Sequence, residues 1–237
     1  MAEGGNPLSN FTTQSGVIST LDTPGQAKDI VAQNTVALLA DGSEGVTVFN
    51  VANALNPVRT AQIRLTGSTE AVALDGTLAA GSSLSLLDLS DLSAVRVTKQ
   101  LFLGGTPRAV AAAGGIACAG LDNGQVVAVD MAAGAELERL QVSTEPIHDL
   151  TFAGDVLYVR SASRVHAVEL APAGMTAAGS VAVAATGTRN RLFAGVGLAY
   201  APQTQGYTIL SLADPLHPAV LQTISTAQLG WSHLGKR

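Results

Sequence analysis

The side chains able to do chemistry in this 237-residue chain are few and widely spaced. Four histidines, His148, His166, His217 and His233, stand 18, 51 and 16 residues apart. No pair has the i, i+4 spacing that turns two imidazoles toward one zinc ion. The lone cysteine excludes both a Cys-based zinc cage and an intrachain disulfide. Cys118, between Ala117 and Ala119, reads as a small buried hydrophobe with no basic sequence neighbour to lower its pKa. His217 reads as a solvated loop residue. Gly195-Val196-Gly197-Leu198-Ala199-Tyr200 opens like a dinucleotide loop but lacks the third glycine and a following helix. Gly230 to Lys236 fits G-x-x-x-x-G-K, yet Arg237 stands where a Ser or Thr must meet magnesium. No G-x-S-x-G elbow presents a serine nucleophile. Asp41-Gly42-Ser43-Glu44 and Asp88-Leu89-Ser90-Asp91 offer oxygens to calcium, but without the dense alternation of a dedicated loop they read as turns. The expectation is no catalytic set, no metal site and no cofactor.

One group of polar residues recurs instead of clustering. Lys28-Asp29, Glu70, Arg108, His148-Asp149, Asn190-Arg191 and His233 each stand at or just before a short apolar run. Those runs define a period. Asp29-Ile30-Val31-Ala32 answers to Ala71-Val72-Ala73-Leu74, Ala109-Val110-Ala111-Ala112, Asp149-Leu150-Thr151-Phe152 and Arg191-Leu192-Phe193-Ala194, in steps of 42, 38, 40 and 42 residues. Asn53-Ala54-Leu55-Asn56-Pro57 and Asp214-Pro215-Leu216-His217-Pro218 agree independently, since their final prolines lie 161 residues apart, four such periods. A repeat near forty residues points to a solenoid or a propeller.

Within each unit the texture is four short strands. In the first, Lys28–Ala32, Thr35–Ala40, Val46–Val51 and Thr60–Leu65 are expected as strands a to d, with Asp41–Gly45 as one turn and a polar linker ending at Pro57. In the third, Gly114-Gly115 and Asp122-Asn123-Gly124 close successive hairpins, because glycine reaches the positive φ of tight turns at little steric cost. Runs of four to eight residues rich in Val, Leu, Ile and Thr fit strands. Ala109 to Ala113 favours helix by propensity, but Gly114 and Gly115 end it too soon. Four antiparallel strands per forty residues, repeated in series, describe the blade of a β-propeller, in which each sheet buries its faces against its neighbours. The polar residues opening each strand a then ring one mouth of the central channel: Asp29, Glu70, Arg108, His148, Asp149 and Arg191.

The third strand carries a resemblance. Gly45-Val46-Thr47-Val48-Phe49-Asn50-Val51, Leu84-Ser85-Leu86-Leu87-Asp88-Leu89-Ser90-Asp91, Gln125-Val126-Val127-Ala128-Val129-Asp130 and Tyr207-Thr208-Ile209-Leu210-Ser211-Leu212-Ala213-Asp214-Pro215 resemble the LVIVD repeat of bacterial and archaeal surface propellers. That repeat runs from an apolar stretch through an Asp to a Ser-Asp-Pro-like linker. The resemblance covers residues 23 to 225. The fourth copy, Arg164 to Leu170, departs from it, with Glu169 in place of the Asp and no linker. The resemblance implies a propeller in a surface or secreted setting and no particular activity.

The expected organisation is all-β. Residues 1–6 form a disordered or appended tail, and 7–237 a single β-propeller with repeats near 23–65, 66–103, 104–142, 143–183 and 184–225. The segments 16–21 and 229–234 supply strands d and a of a partial blade, so that the chain reads as truncated at its C-terminus. Lys and Arg number 13 against 18 Asp and Glu, a net charge of −5, which lacks the basic footprint of a nucleic-acid binder. Leu170–Thr188 and Gly195–Ala213 are too polar and too broken by Pro and Gly to insert in a membrane. No secretory signal opens the chain, so the setting is extracellular if the chain is a piece of a surface protein and cytoplasmic otherwise. The expected function is a non-catalytic binding or scaffold module, part of a larger bacterial cell-surface or secreted protein. Its partner is a protein or a small polar ligand. The alternative is a lactonase-like hydrolase built on Glu70, His148 and Asp149.

Overall fold

The computed structural model describes residues 19–75, 78–81, 84–185 and 190–226. Among the described residues twenty strands form five four-stranded antiparallel sheets, each in chain order. The first sheet holds β1 (Asp29–Gln33), β2 (Val36–Ala40), β3 (Val46–Asn50) and β4 (Val58–Ile63). The second holds β5 (Val72–Asp75), β6 (Leu78–Gly81), β7 (Ser85–Asp88) and β8 (Arg96–Gln100). The third holds β9 (Pro107–Ala113), β10 (Ile116–Leu121), β11 (Gln125–Asp130) and β12 (Ala135–Gln141). The fourth holds β13 (Ile147–Ala153), β14 (Val156–Ser161), β15 (Arg164–Ala171) and β16 (Gly174–Ala182), and the fifth β17 (Phe193–Ala194), β18 (Leu198–Gln203), β19 (Gly206–Ser211) and β20 (Ala219–Ser225). No helix occurs among the described residues. Several strand limits differ from expectation, those of β1, β2 and β3 by one residue at one or both ends. β17 has two residues where four were expected, and β4 begins at Val58 because pairing with Asn50 resumes directly after Pro57. Residues 19–21 form no strand; the rest of the expected 16–21 segment and all of 229–234 lie outside the described residues.

The turns explain the repeat locally. At the end of the third strand the side chains of Asn50, Asp88 and Asp130 accept the N–H of Ala52, Ser90 and Ala132, two residues on. Asn53, Asp91 and Asp214 do the same for Leu55, Ser93 and Leu216 in the linker that follows. Such Asx turns reverse the chain without a glycine. The fourth sheet uses another solution: β15 and β16 pair up to Ala171 and Gly174, and only Pro172 and Ala173 lie between them. Glu169, one carbon too long for an Asx turn, sits inside the ladder. In all five sheets the pairing of third and fourth strands shifts register once, near Val48, Leu86, Ala128, His166 and Ile209. A bulge there sharpens the twist of the outer strand.

Alternate residues of each innermost strand point to the preceding and the following sheet, so every seam between consecutive sheets has its own apolar core. Leu38, Val46, Val48, Val72 and Leu87 fill the first seam. Leu84, Leu86, Val110, Ala119 and Val127 fill the second. Cys118, Val126, Leu150, Leu157 and Val159 fill the third, and Tyr158, Val165, Ala199 and Leu210 the fourth. Each fully buried Val or Leu contributes roughly 1.5–3 kcal/mol.

Carboxylates reinforce every one of these seams by accepting a backbone N–H from the next sheet. Asp29 accepts from Val72 at 3.2 Å, Asp75 from Gly115 at 2.5 Å, Glu138 from Met175 at 2.5 Å and Asp149 from Leu192 at 2.7 Å. On its outward face the first sheet buries a smaller cluster of Ala37, Leu39 and Phe49, with Ile30 62% exposed beside it, and Phe193 on the fifth sheet is 60% exposed.

Candidate functional site

The loops that lead into the innermost strands meet at one end of the fold and surround a cavity of about 780 Å3. Its walls are Thr66 to Ala71 before β5, Gln100 to Arg108 before β9, the start of β13, and Arg191 before β17. Both long loops turn on a glycine in the left-handed region, Gly67 with φ 82° and Gly104 with φ 74°, where a β-carbon is strained. The loop before β5 is tied to the first sheet, Thr69 N–H donating to Gly42 O at 2.9 Å, whereas the loops before β1, β9 and β13 are tied to their own sheets near the turn between second and third strands. Asp41, fully buried, takes the hydroxyl of Thr23 and the N–H of Gly25. Asp122 takes the N–H of Thr106, also sixteen residues away. In the fourth sheet the partners are reversed: Glu145, on the loop, takes Ser161 Oγ and both the N–H and Oγ of Ser163, on the turn. Asp41, read from sequence as a turn residue, is thus a buried anchor.

Five of the six residues singled out from sequence line this cavity: Glu70, Arg108, His148, Asp149 and Arg191. Asp29 is not on its wall but holds Arg191, Oδ1 to Nη2 at 2.5 Å. Arg191 also lies 3.7 Å from Asp149 Oδ1. Lys28 and Asn190 do not line the cavity, and His233 is outside the described residues.

Asp149 is buried, and burial pushes its carboxyl up to about 6 against the pull of the Leu192 N–H and Arg191. Its oxygens take the N–H groups of Leu150 and Leu192. Glu70 accepts the hydroxyl of Ser68. Arg108 and His148 make no hydrogen bond or ion pair among the described residues. His148 is half-buried, and burial, reinforced by the charges of Arg108 and Arg160, holds its pKa below 6.5. At neutral pH it is an uncharged imidazole with one donor and one acceptor.

The residues named for the hydrolase alternative, Glu70, His148 and Asp149, all line the cavity. Asp149 spends its oxygens on backbone amides, and no three His, Cys, Asp or Glu residues gather closely enough to hold a metal ion among the described residues. His217 lies exposed in its linker, with Nδ1 3.0 Å from Asp214 Oδ2. Cys118 is buried in the third seam, and burial pushes its thiol up to about 12.

Sequence reasoning missed three participants. Phe102, 88% exposed, stands on the wall in the loop before β9, where an aromatic ring with no partner was a visible signal. Glu145 gave no local sign of its serine partners. Arg160 sits in β14 opposite Asp149 and is 0% exposed. Its Nη2 donates to Ala184 O at 2.7 Å, while Nε and Nη1 find no acceptor among the described residues. Burial lowers this guanidinium to about 10.

No protein-family model matches the chain, and no curated protein matches it. Solved structures do. The β-propeller domain of Myceliophteria thermophila Cps50 (Swd1) superposes with a TM-score of 0.65 at 12% identity, over 84% of this chain and 73% of that one. A chain of the mitotic checkpoint complex gives 0.68 at 10% identity, over 87% and 67%. The computationally designed Ika8 protein gives 0.60 at 9% identity, over 83% and 61%. Likeness at such identities establishes architecture and nothing more. The fold is β-propeller-like, built of four-stranded antiparallel sheets.

Proposed function

We propose that this chain is a non-catalytic scaffold or protein-interaction propeller whose recognition surface is the mouth formed by the loops before the innermost strands. The observation that carries this reading is the cavity of about 780 Å3 into which five recurrent polar residues converge, with Arg108 unpaired and Phe102 exposed on its wall. Binding sites are concave and place a few convergent polar groups among apolar ones. The propeller-like neighbours support it too, since one of them is a chain of a multiprotein complex. In this reading the five sheets are five blades, and Arg191 and Asp29 join the last to the first. The texture of the third strands supports an LVIVD-type assignment, with the surface or secreted setting in a larger bacterial protein that such a likeness brings.

The test is a double variant, Arg108→Ala with His148→Ala. It melts within a few degrees of the parent and loses at least about tenfold in affinity for peptides selected on the parent protein. A collapsed melt with affinity retained makes the set structural.

A further inference from the structure

The polar groups at the mouth are unequally committed. The acids on and around its wall are hydrogen-bonded within the protein: Asp149, on the wall, to the amides of Leu150 and Leu192, and behind it Asp29 to Ile30, Val72 and Arg191, Glu145 to Ser161 and Ser163, and Asp122 to Thr106. Glu70 takes the Ser68 hydroxyl. The donors are not spent. Arg108 has no acceptor among the described residues, and His148 offers its ring on the same wall. Arg108 is exposed, with its guanidinium available to an incoming acceptor, and half-buried His148 keeps a ring donor that no protein atom among the described residues matches. We propose that the mouth binds an acidic segment of a partner protein, a carboxylate side chain taken by Arg108 beside His148, with a neighbouring apolar residue laid on Phe102.

Size favours a peptide over a lone anion. About 780 Å3 lies within the range of roughly 300–1,000 Å3 typical of pockets that enclose drug-sized ligands, far more room than one small ion needs. The exposed ring of Phe102 points the same way, because an aromatic anchor beside an arginine is the usual composition of an interface hot spot. Arg108 suits the carboxylate, since a guanidinium meets it with two parallel N–H donors.

This inference rests on the mouth being the recognition surface, and the experiment separates the two claims. A phage-displayed random dodecapeptide library is panned in parallel on the parent protein and on Arg108→Glu, each checked for an unchanged melt. The expected result is Asp and Glu enriched about threefold or more over library frequency on the parent, with Lys and Arg enriched on the charge-reversed variant. Binders that are basic or charge-neutral on the parent, yet lost on Arg108→Glu, keep the mouth as the site and overturn the acidic ligand. Binders equally enriched on both proteins, or none on either, overturn both claims.

Discussion

Arg191 Nη2 lies 2.5 Å from Asp29 Oδ1, a contact between the fifth sheet and the first across 162 residues of sequence. The same Asp29 accepts the N–H of Val72 from the second sheet. One carboxylate therefore serves two neighbours, and the guanidinium it holds reaches a second acid, Asp149, on the fourth sheet. The pair is mostly shielded from water, with side-chain exposures of 31% and 12%. A double-mutant cycle with Arg191→Met and Asp29→Asn should show a coupling of about 1–2 kcal/mol in urea unfolding, reduced by high salt. Coupling indistinguishable from zero means that the contact does not join the two sheets energetically.

Asp149 makes stability depend on pH in an unusual direction for a carboxylate. Its folded pKa of about 6 stands above the ordinary 3.8. Between those values the folded chain keeps a proton that the unfolded chain releases, so this residue's contribution to stability falls as pH rises from about 4 to about 6. Relative to Asp149→Asn, the parent should lose on the order of 2–3 kcal/mol across that window. Parallel stability curves for the two proteins are the contrary result.

Gly124 has φ 82°, and a β-carbon there meets Ser143 O at 1.9 Å. Gly45 and Gly206 hold the corresponding place in the first and fifth sheets, with β-carbon positions 2.1 Å and 1.9 Å from the carbonyls of Ile63 and Ile224. Gly124→Ala should cost about 2–4 kcal/mol in chemical denaturation, through strain and displaced backbone. A loss under about 1 kcal/mol shows that the β11–β12 edge yields easily.

Cys118 supplies a reporter. Buried in the third seam with its thiol raised to about 12, it is neither ionised nor reachable while that seam holds. Labelling by an aromatic disulfide reagent should be slow in the native protein and complete within seconds in denaturant. Its rate across denaturant concentrations should track unfolding measured by circular dichroism. Fast labelling of the native protein shows that the seam opens independently of the rest.

Arg160→Met replaces a buried guanidinium two of whose nitrogens find no acceptor among the described residues. The variant loses one hydrogen bond, to Ala184 O, and removes a buried charge, an exchange that is often neutral or stabilising. It should melt no lower than the parent. A drop of several degrees means that the guanidinium has acceptors in solution.

What the sequence shows of this fold is what short-range chemistry writes into it. Gly114-Gly115, the Asx residues Asp88 and Asp130, and the apolar runs between them act within a few residues, so they mark turns and strands directly. Glu169 was visible as an exception, and the two-residue turn between β15 and β16 is its structural counterpart. The seam carboxylates were not legible in the same way. Asp29 and Asp149 answer to amide groups 43 residues away, and an amide carries no side-chain signature. The convergence of Glu70, Arg108 and His148 followed from their common place in the repeat. Which of them is engaged did not, because that depends on partners such as Ser68, on a different residue type in each unit.

Because the acceptor at each seam meets the main chain of the next sheet and not its side chain, the bond itself asks nothing of the side chains at residues 72, 115, 175 and 192. Proline alone abolishes it. Neighbouring units can thus drift apart in sequence while the joint between them persists, provided the acid is retained on one side and an imino acid is kept out on the other.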